Sequence, residues 1–550
     1  MNGRMSLLFR NSLGVVAAML AGVAAPVANA MDNPLATGVV RFALDTGEAE
    51  KVVGLAAKLE GESADYLRAR LLLASGQDNK ARAGFEGVFS GASHRGEAAL
   101  ALAEMAQEDG DLTGAENWYQ QARRAGYGEV LQKALLGLAE LARMQGKTDA
   151  AGQYLARMED GYWAAVGYMN LAADFARDDL DSSRALVSLR VAMAMAAKDA
   201  DSNRSRALLD QLNLRAGYLA LGSDDYDKAI DFLEKVSLES YHTPGALYLH
   251  GLALSRKGNH RAAMQSWHRA KKFPLAFPGV SDAWIGMGRG YDLSGYPGQA
   301  GESWLAANAA YEGERVTLGK LSERIKADGA FKTLVQDARS DDIQWFLADS
   351  RTLTQPRMAY LLRFMEEPGA QAAVRRVARL DEMVAILNAS KYNLQVFIQA
   401  LEGFVRSAGS RAPASQTAAF EQQQRELETR LDRLVEQAAT PAQAAELRQL
   451  KQSLAAAGRR MNALNQQVVQ RPERLETVLD EARALKDATN DLRLKTFSLR
   501  ARAARELDAL ALAFVETQTR RMSHALDKTE QQIANLYEYL ALENLGEGAQ

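Results

Sequence analysis

The stretch "DAWIGMGRGY", residues 282–291, is the part of this sequence that looks most like a chemical motif. Its glycines Gly286, Gly288 and Gly290 have the spacing of a phosphate-binding loop. Such a loop must follow a β-strand and open a helix, but no β-rich run precedes these glycines, and a tryptophan and a tyrosine flank them at helical spacing. We therefore predict that they lie inside a helix, and that Gly288 is small because two helices pack closely there.

Residues that could support catalysis or bind a metal are few. The chain has no cysteine, which excludes thiol chemistry, and neither G-x-S-x-G nor H-E-x-x-H occurs. The six histidines are His94, His242, His250, His260, His268 and His524. No two are spaced i, i+4 as a helical metal pair requires, and we interpret them as surface histidines. The sequence predicts no catalytic site, no metal and no cofactor.

Composition excludes further classes of protein. The chain has 550 residues and a formal net charge of −3, so nothing in its overall charge favours nucleic acid as a partner. Clusters such as Arg375, Arg376 and Arg379 are balanced by nearby acids. Helix formers dominate and proline is sparse, with 11 in all, which favours an all-α protein.

The first thirty residues have the pattern of a secretory signal peptide. Arg4 and Arg10 precede an apolar run from Leu13 to Ala25, and a small-x-small sequence ends at Ala30. The run is too short to span a bilayer, and no later run is long enough, so we expect no integral membrane segment after cleavage. An uncleaved anchor stays the alternative. Without cysteine the chain cannot be a lipoprotein, so a periplasmic location is expected for a Gram-negative source.

A repeat of about 34 residues follows over residues 62–313. An alanine recurs with a large residue four positions later, and a small residue stands twelve positions before it. The alanine pairs are Ala81/Phe85, Ala115/Tyr119, Ala151/Leu155, Ala185/Leu189, Ala229/Leu233, Ala263/Trp267 and Ala300/Trp304. The small residues are Ala69, Ala103, Ala139, Ala173, Gly217, Gly251 and Gly288. This spacing predicts about seven helical hairpins stacked as a solenoid, with close helix contacts at the small residues.

These residues resemble the tetratricopeptide repeat family. The closest match is Trp284, Met287, Gly288 and Tyr291, followed by Ala300 and Trp304, which fit its W-x2-L-G-x2-Y and A-x3-F signature. In that family the first helices line a groove that binds proteins. The resemblance implies that this groove is faced by Arg143, Tyr218, Tyr248, Arg256 and Arg289. Tyrosine and arginine are the residues that dominate binding hot spots.

The rest of the chain is predicted to be helical as well. Residues 31–61 are expected to cap the solenoid, and residues 314–411 to form an irregular helical region that includes "SDDIQWFLADSRTL". The Ser-, Gly- and Pro-rich stretch Arg406–Thr417 is typical of a linker. Residues 412–545 carry heptads, which predict an antiparallel coiled-coil hairpin with its turn at Gln470–Glu473. The predicted pairing sets Leu450, Leu454, Met461 and Leu464 against Leu485, Leu492 and Leu499. Apolar residues outside that seam, such as Leu475, Leu494 and Phe497, predict that a further surface covers the hairpin.

The sequence thus predicts a non-catalytic periplasmic scaffold of a cell-envelope assembly, for transport, secretion or polysaccharide export. Protein partners would bind the repeats and the hairpin, and the hairpin is also a possible site of homo-oligomerisation. Two alternatives remain: an enzyme or enzyme subunit with a site in residues 314–411, and a self-assembling structural protein.

Overall fold

The computed structural model describes residues 34–45, 52–178, 182–336, 356–367, 369–409, 414–438 and 440–547. The signal peptide with its cleavage site at Ala30, the stretch "SDDIQWFLADSRTL" and the centre of the predicted linker lie outside these residues. No helix in the described ranges is long and apolar enough to cross a membrane.

The described residues form helices and connecting turns without a strand, which confirms the all-α prediction. The helices are α1 (Pro34–Asp45), α2 (Val53–Ala56), α3 (Glu62–Ala74), α4 (Asp78–Ser90), α5 (Arg95–Glu108), α6 (Leu112–Ala125), α7 (Gly128–Met144), α8 (Thr148–Leu155), α9 (Tyr162–Asp178), α10 (Ser183–Ala196), α11 (Ser202–Gly222), α12 (Tyr226–Leu233), α13 (Thr243–Arg256), α14 (His260–Ala270), α15 (Val280–Leu293), α16 (Pro297–Asp328), α17 (Pro356–Phe364), α18 (Ala370–Gly409), α19 (Ala414–Glu436) and α20 (Pro441–Glu547). A π-helical turn, Phe331–Gln336, lies between α16 and α17.

The chain divides into two compact units. The first comprises residues 1–273 and 278–303, and the second comprises residues 274–277 and 304–550. In the first unit, α1 and α2 pack on α3 through a small apolar cluster that includes Val40, Val52 and Leu67. From α3 onward the helices follow one another as antiparallel pairs, from α3 with α4 to α13 with α14, and α15 packs on this last pair.

The repeating alanines explain how these pairs hold together. All seven are completely buried, and the large residues that follow them are at most 5% exposed. Where the small residue is glycine, the contact can be seen directly. A Cβ placed on Gly217 would lie 2.5 Å from Leu233, and one on Gly251 would lie 2.4 Å from Trp267. The large side chain of the second helix therefore occupies the space that the missing side chain of the first helix leaves.

Glycine ends the first helix of most pairs. Gly76, Gly110, Gly146, Gly258 and Gly295 have φ between +69° and +83°, the left-handed conformation that terminates a helix. The fifth pair uses Asp224 in the same conformation, with φ of 57°. The predicted spacing fails in the fourth pair, where Ala173 is exposed and its neighbour Ala172 is buried instead. The predicted packing position is therefore one residue too far along α9, which ends at Asp178.

The second unit contains an antiparallel helical hairpin, which we call the arm, made of α18 and α19 on one side and α20 on the other. Its turn differs from the predicted one. Helix α20 runs through residues 470–473 without a break, and the chain reverses between Glu436 and Pro441. The hydroxyl of Thr440 accepts a hydrogen bond from the Gln443 amide, and Pro441 starts the helix, a position that proline favours. The turn prediction at Gln470–Glu473 was therefore wrong.

Polar contacts fix the register along the whole arm. Arg376 of α18 pairs with Glu506 of α20 at 2.7 Å, and Glu402 of α18 pairs with Arg483 at 2.9 Å. Farther along, Asp432 of α19 pairs with Lys451. As the residue number rises along α18 and α19, the number of the paired residue on α20 falls, as antiparallel pairing requires. The boundary predicted at residues 411/412 therefore falls inside the arm, and residues 406–409 and 414–417 of the predicted linker are helical.

The predicted leucine pairing was also wrong, because all of its members belong to the single helix α20. In the structure Leu450, Leu464, Leu485, Leu492 and Leu499 are 44–60% exposed. The contact with α18 is made instead by residues such as Leu479 and Ala482, which pack on Ile398 and Leu401.

Candidate functional site

The glycines of residues 282–291 belong to a packing contact. Gly286, Gly288 and Gly290 are buried inside α15. A Cβ on Gly286 would lie 2.9 Å from the Trp267 ring, and one on Gly290 would lie 2.5 Å from Met264. These glycines therefore accept side chains of the preceding helix pair, and no loop is available to hold a phosphate.

The five predicted groove residues lie on first helices of the pairs, and the structure separates one of them from the rest. Arg143 on α7 forms ion pairs with Glu140 and with Asp174 of α9, whose side chain is only 6% exposed. Asn170 donates a further hydrogen bond of 2.7 Å to Glu140. This network ties the third helix pair to the fourth, so Arg143 has a structural contact in place of a free guanidinium.

The other four residues fall on three neighbouring first helices: Tyr218 on α11, Tyr248 and Arg256 on α13, and Arg289 on α15. These helices contact one another in sequence and form a continuous surface. Tyr218 is 62% exposed, and Arg256 and Arg289 are exposed as well. We call these four residues the Tyr/Arg surface.

A cavity of about 380 Å³ lies on the Tyr/Arg surface. A second cavity, of about 600 Å³, lies in the second unit and is described below. Tyr218 and Arg256 line the cavity on the Tyr/Arg surface together with Tyr226 and Asp224. The hydroxyl of Tyr226 donates a hydrogen bond of 2.6 Å to the Asp224 carboxylate. Sequence reasoning missed this pair, although Asp224 stands at the helix-ending position that glycine fills in most other repeats.

Electrostatic interactions link the members of the Tyr/Arg surface. The pKa of Tyr248 is raised to about 12, chiefly by burial and also by the Asp282 carboxylate, while Arg256 and Arg289 act in the opposite direction. The hydrogen bond to Asp224 raises the pKa of Tyr226, and Arg256 again opposes the shift. Arg256 therefore lies within electrostatic reach of both tyrosines. The hydroxyls of Tyr248 and Tyr226, whose pKa values are both raised, are neutral donors at neutral pH.

This arrangement is suited to binding. Two exposed guanidinium groups and one exposed aromatic ring on neighbouring helices can bind a carboxylate and an adjacent apolar side chain. The cavity is near the lower end of the range for small-molecule sites, about 300–1,000 Å³. It has room for one or two side chains of a partner.

The histidines do not form a metal site in the described residues, where no group of three or more metal-ligating side chains occurs. His250 and Ser266 are hydrogen-bonded at 2.8 Å, and His260 and Ser255 at 3.3 Å. Each of these imidazoles thus has a local partner.

The region predicted for a hidden enzyme site contains one unusual carboxylate. Burial raises the pKa of Glu314 on α16, and the hydroxyl of Tyr360 donates a hydrogen bond to it. The cavity of about 600 Å³ in this unit is lined by Arg315, Lys326 and Glu516 among mainly small and apolar residues. No nucleophile in that lining is hydrogen-bonded to a base, so the described residues give the enzyme alternative no constellation.

Comparison with known proteins gives structural similarity without a family. No protein-family model matches the chain, and no curated protein matches it. Among solved structures, the MamA protein is 19% identical, with 33% of this chain and 92% of MamA covered and a TM-score of 0.25. The Cut9-Hcn1 hetero-tetramer of the APC/C is 16% identical, with 48% and 50% covered and a TM-score of 0.29.

A tetratricopeptide repeat protein from Parabacteroides merdae is 15% identical, with 43% of this chain and 91% of that protein covered and a TM-score of 0.28. These overall scores are low, whereas the repeated helix pairs, the buried alanines and the left-handed glycines are features of the chain itself. The first unit is a tetratricopeptide-like solenoid.

Proposed function

We propose that this protein is a non-catalytic scaffold of the periplasm, which binds protein partners as part of a cell-envelope assembly for transport, secretion or polysaccharide export. The Tyr/Arg surface is the observation that carries this proposal. It presents aromatic and guanidinium groups on neighbouring first helices, with a cavity between Tyr218 and Arg256.

The chemistry of this surface defines the segment of the partner that it binds. Arg256 and Arg289 supply charged donors, and carboxylates are the groups that pair with a guanidinium through two hydrogen bonds. Tyr218 offers a largely exposed ring for an apolar side chain. The preferred ligand is therefore a peptide segment in which a carboxylate stands close to an apolar or aromatic residue.

Partner binding is expected to depend on Tyr218 and Arg256. The double variant Tyr218→Ala/Arg256→Ala removes one anchor ring and one guanidinium, and binding of a partner should weaken about 30-fold or more, as for a hot spot of about 2 kcal/mol or more. The measurement is cross-linking and co-purification from envelope extracts, followed by titration of the recovered partner.

A matched control is available in the same unit. Tyr127 is 80% exposed and Arg124 is also exposed, and both lie near the end of α6, away from the cavity. The double variant Tyr127→Ala/Arg124→Ala should bind as the wild type does. Equal losses in both double variants, or undiminished binding in the first, would contradict the assignment of the Tyr/Arg surface.

Export is expected to remove the first thirty residues. Arg4, Arg10 and the apolar run support recognition as a signal peptide, and the small residues before Met31 support cleavage there. N-terminal sequencing of the protein from envelope fractions of its source cell should begin at Met31. A sequence that begins at Met1 would exclude the proposed processing.

Self-assembly is a second function that a specific observation favours. The arm exposes a long row of large apolar side chains, which is unusual for a surface in contact with water alone.

A further inference from the structure

The arm carries two rows of exposed apolar residues at spacings of seven or fourteen residues, which we call the outer rows. On α20 the row consists of Leu450, Leu464, Val478, Leu485, Leu492 and Leu499, and on α19 it consists of Phe420, Leu427 and Leu434. All of these side chains are 41–60% exposed. Seven residues are two helical turns, so each row runs along one face of its helix.

The two rows lie on the same side of the arm. On α20, Leu485 stands one position before the inward-facing Lys486, and on α19, Leu434 stands one position before the inward-facing Val435. In an antiparallel pair, positions that precede inward-facing residues by one share a face of the pair. The outer rows therefore form one apolar face.

The contacts inside the arm explain why this face is exposed. Several inward positions of α20 are polar, since Lys486 donates to Gln395 at 2.5 Å and Arg500 to Asp381 at 2.6 Å. The most apolar stripe of α20 is thus rotated away from α18 and is only partly covered by it. Such a stripe is typical of a helix that has a second helical neighbour.

The extent of the face matches a protein interface. With Phe404 of α18, which is 55% exposed, the half-exposed side chains offer roughly 800 Å², one partner's share of a standard interface. The largest patch on an ordinary monomer is about 300–600 Å².

Charged side chains beside the outer row of α20 indicate which molecule covers the apolar face. Glu446, Arg460, Glu481 and Lys495 are exposed and flank the outer row of α20. Among the described residues, none of the four makes an ion pair with another side chain of the chain. If two copies met about a two-fold axis near residue 471, Glu446 of one copy would face Lys495 of the other, and Arg460 would face Glu481. The same axis would set Leu450 opposite Leu492 and Leu464 opposite Val478.

The other side of the arm is consistent with the same axis. The ion pairs Glu402–Arg483 and Asp432–Lys451 lie on either side of residue 471 of α20, so the point of the arm opposite that residue falls between Glu402 and Asp432. Phe404 and Phe420 stand at nearly equal distances on either side of that point and are 55% and 57% exposed. The axis would bring Phe404 of one copy next to Phe420 of the other.

We propose that the apolar face binds the same face of a second copy, so that two arms form an antiparallel four-helix bundle with two-fold symmetry. A self-complementary patch of this kind is what a two-fold interface requires. The proposal does not depend on the Tyr/Arg surface, whose variants leave the arm unchanged.

Sedimentation equilibrium of the intact protein tests the proposal. The wild type should be a dimer, and the double variant Leu485→Gln/Leu492→Gln should raise the dimer Kd about 100-fold or more, because each change acts in both copies. Leu494→Gln is the matched control, since Leu494 is 53% exposed but lies on the opposite side of α20. Circular dichroism should show wild-type helix content in all variants. A wild type that stays monomeric at every concentration, as expected if another protein covers the face, would overturn the proposal, as would a dimer that survives the double variant.

Charge reversal tests the axis itself. Glu481→Arg should weaken the dimer about tenfold, and adding Arg460→Glu should restore the Kd to within about threefold of the wild type. Because the chain has no cysteine, a chain with Leu450→Cys can also be mixed with one carrying Leu492→Cys. Disulfide-linked heterodimers should form on mixing and should be absent when Leu494→Cys replaces Leu492→Cys. Loss of rescue together with failure of cross-linking would refute this register.

Discussion

Trp267→Ala is expected to destabilise the solenoid by about 3–5 kcal/mol, the usual cost of removing a fully buried tryptophan. Trp267 is 2% exposed and lies between two helices that each present a glycine to its ring, Gly251 and Gly286. Its indole nitrogen donates a hydrogen bond of 3.1 Å to the Tyr248 carbonyl oxygen. Alanine would leave a large cavity that neither helix can fill, because glycine has no side chain to move into it. Urea unfolding, followed through the transition of the first unit, measures the loss.

The converse change isolates the same contact. Gly251→Ala places a Cβ about 2.4 Å from the indole nitrogen and should cost about 1–3 kcal/mol through overpacking. In the double variant Gly251→Ala/Trp267→Leu the added methyl group has room. The loss of stability of this double variant should therefore be smaller than the sum of the losses of the single variants Gly251→Ala and Trp267→Leu. Additive losses would show that Gly251 and Trp267 do not share this contact, and the assigned repeat register would then be incorrect.

Leu479→Ala is expected to destabilise the arm by about 2–4 kcal/mol, whereas Leu485→Ala, six residues later, should change its stability by less than about 0.5 kcal/mol. Leu479 is 6% exposed and packs on Ile398 and Leu401, while Leu485 is 55% exposed. Thermal unfolding monitored by circular dichroism gives both values. At protein concentrations below the dimer Kd, neither change in stability contains a contribution from a second copy.

This pair of substitutions also decides where the arm turns. A hairpin that reversed at residues 470–473 would bury Leu485 against the stretch that contains Leu464 and would leave Leu479 outside the seam. The opposite ranking, with Leu485→Ala the more harmful change, would therefore exclude the turn at Pro441.

The repeats could be derived from sequence because their signal is local and occurs seven times. Every hairpin needs a small residue opposite a large one, and both lie within about 16 positions of each other, so the spacing survives in the sequence. The fixed count fails only by one residue at Ala173, since its neighbour Ala172 is the buried one.

The Tyr/Arg surface was only partly predictable. The resemblance gave positions on the first helices, which explains why Tyr218, Tyr248, Arg256 and Arg289 fall on three neighbouring helices. It could not show that Arg143 forms an ion pair with Asp174, because the two residues are 31 positions apart and meet only when successive helix pairs stack.

Helix formation and a heptad pattern in residues 412–545 could be predicted from the sequence alone, since side-chain periodicity is a property of each helix alone. The tertiary structure decided which stretches pair. Pro441 and Pro472 can each start a helix, and the leucines fit either turn. With the turn before Pro441, α18 and α19 together find partners along α20 from Lys451 to Glu506. A turn at residues 470–473 would leave the helix Ala370–Gly409 without that partner, and the burial of Ile398 and Leu401 against Leu479 would be lost. That long-range gain in buried apolar surface, which no local pattern contains, selected the fold of the arm.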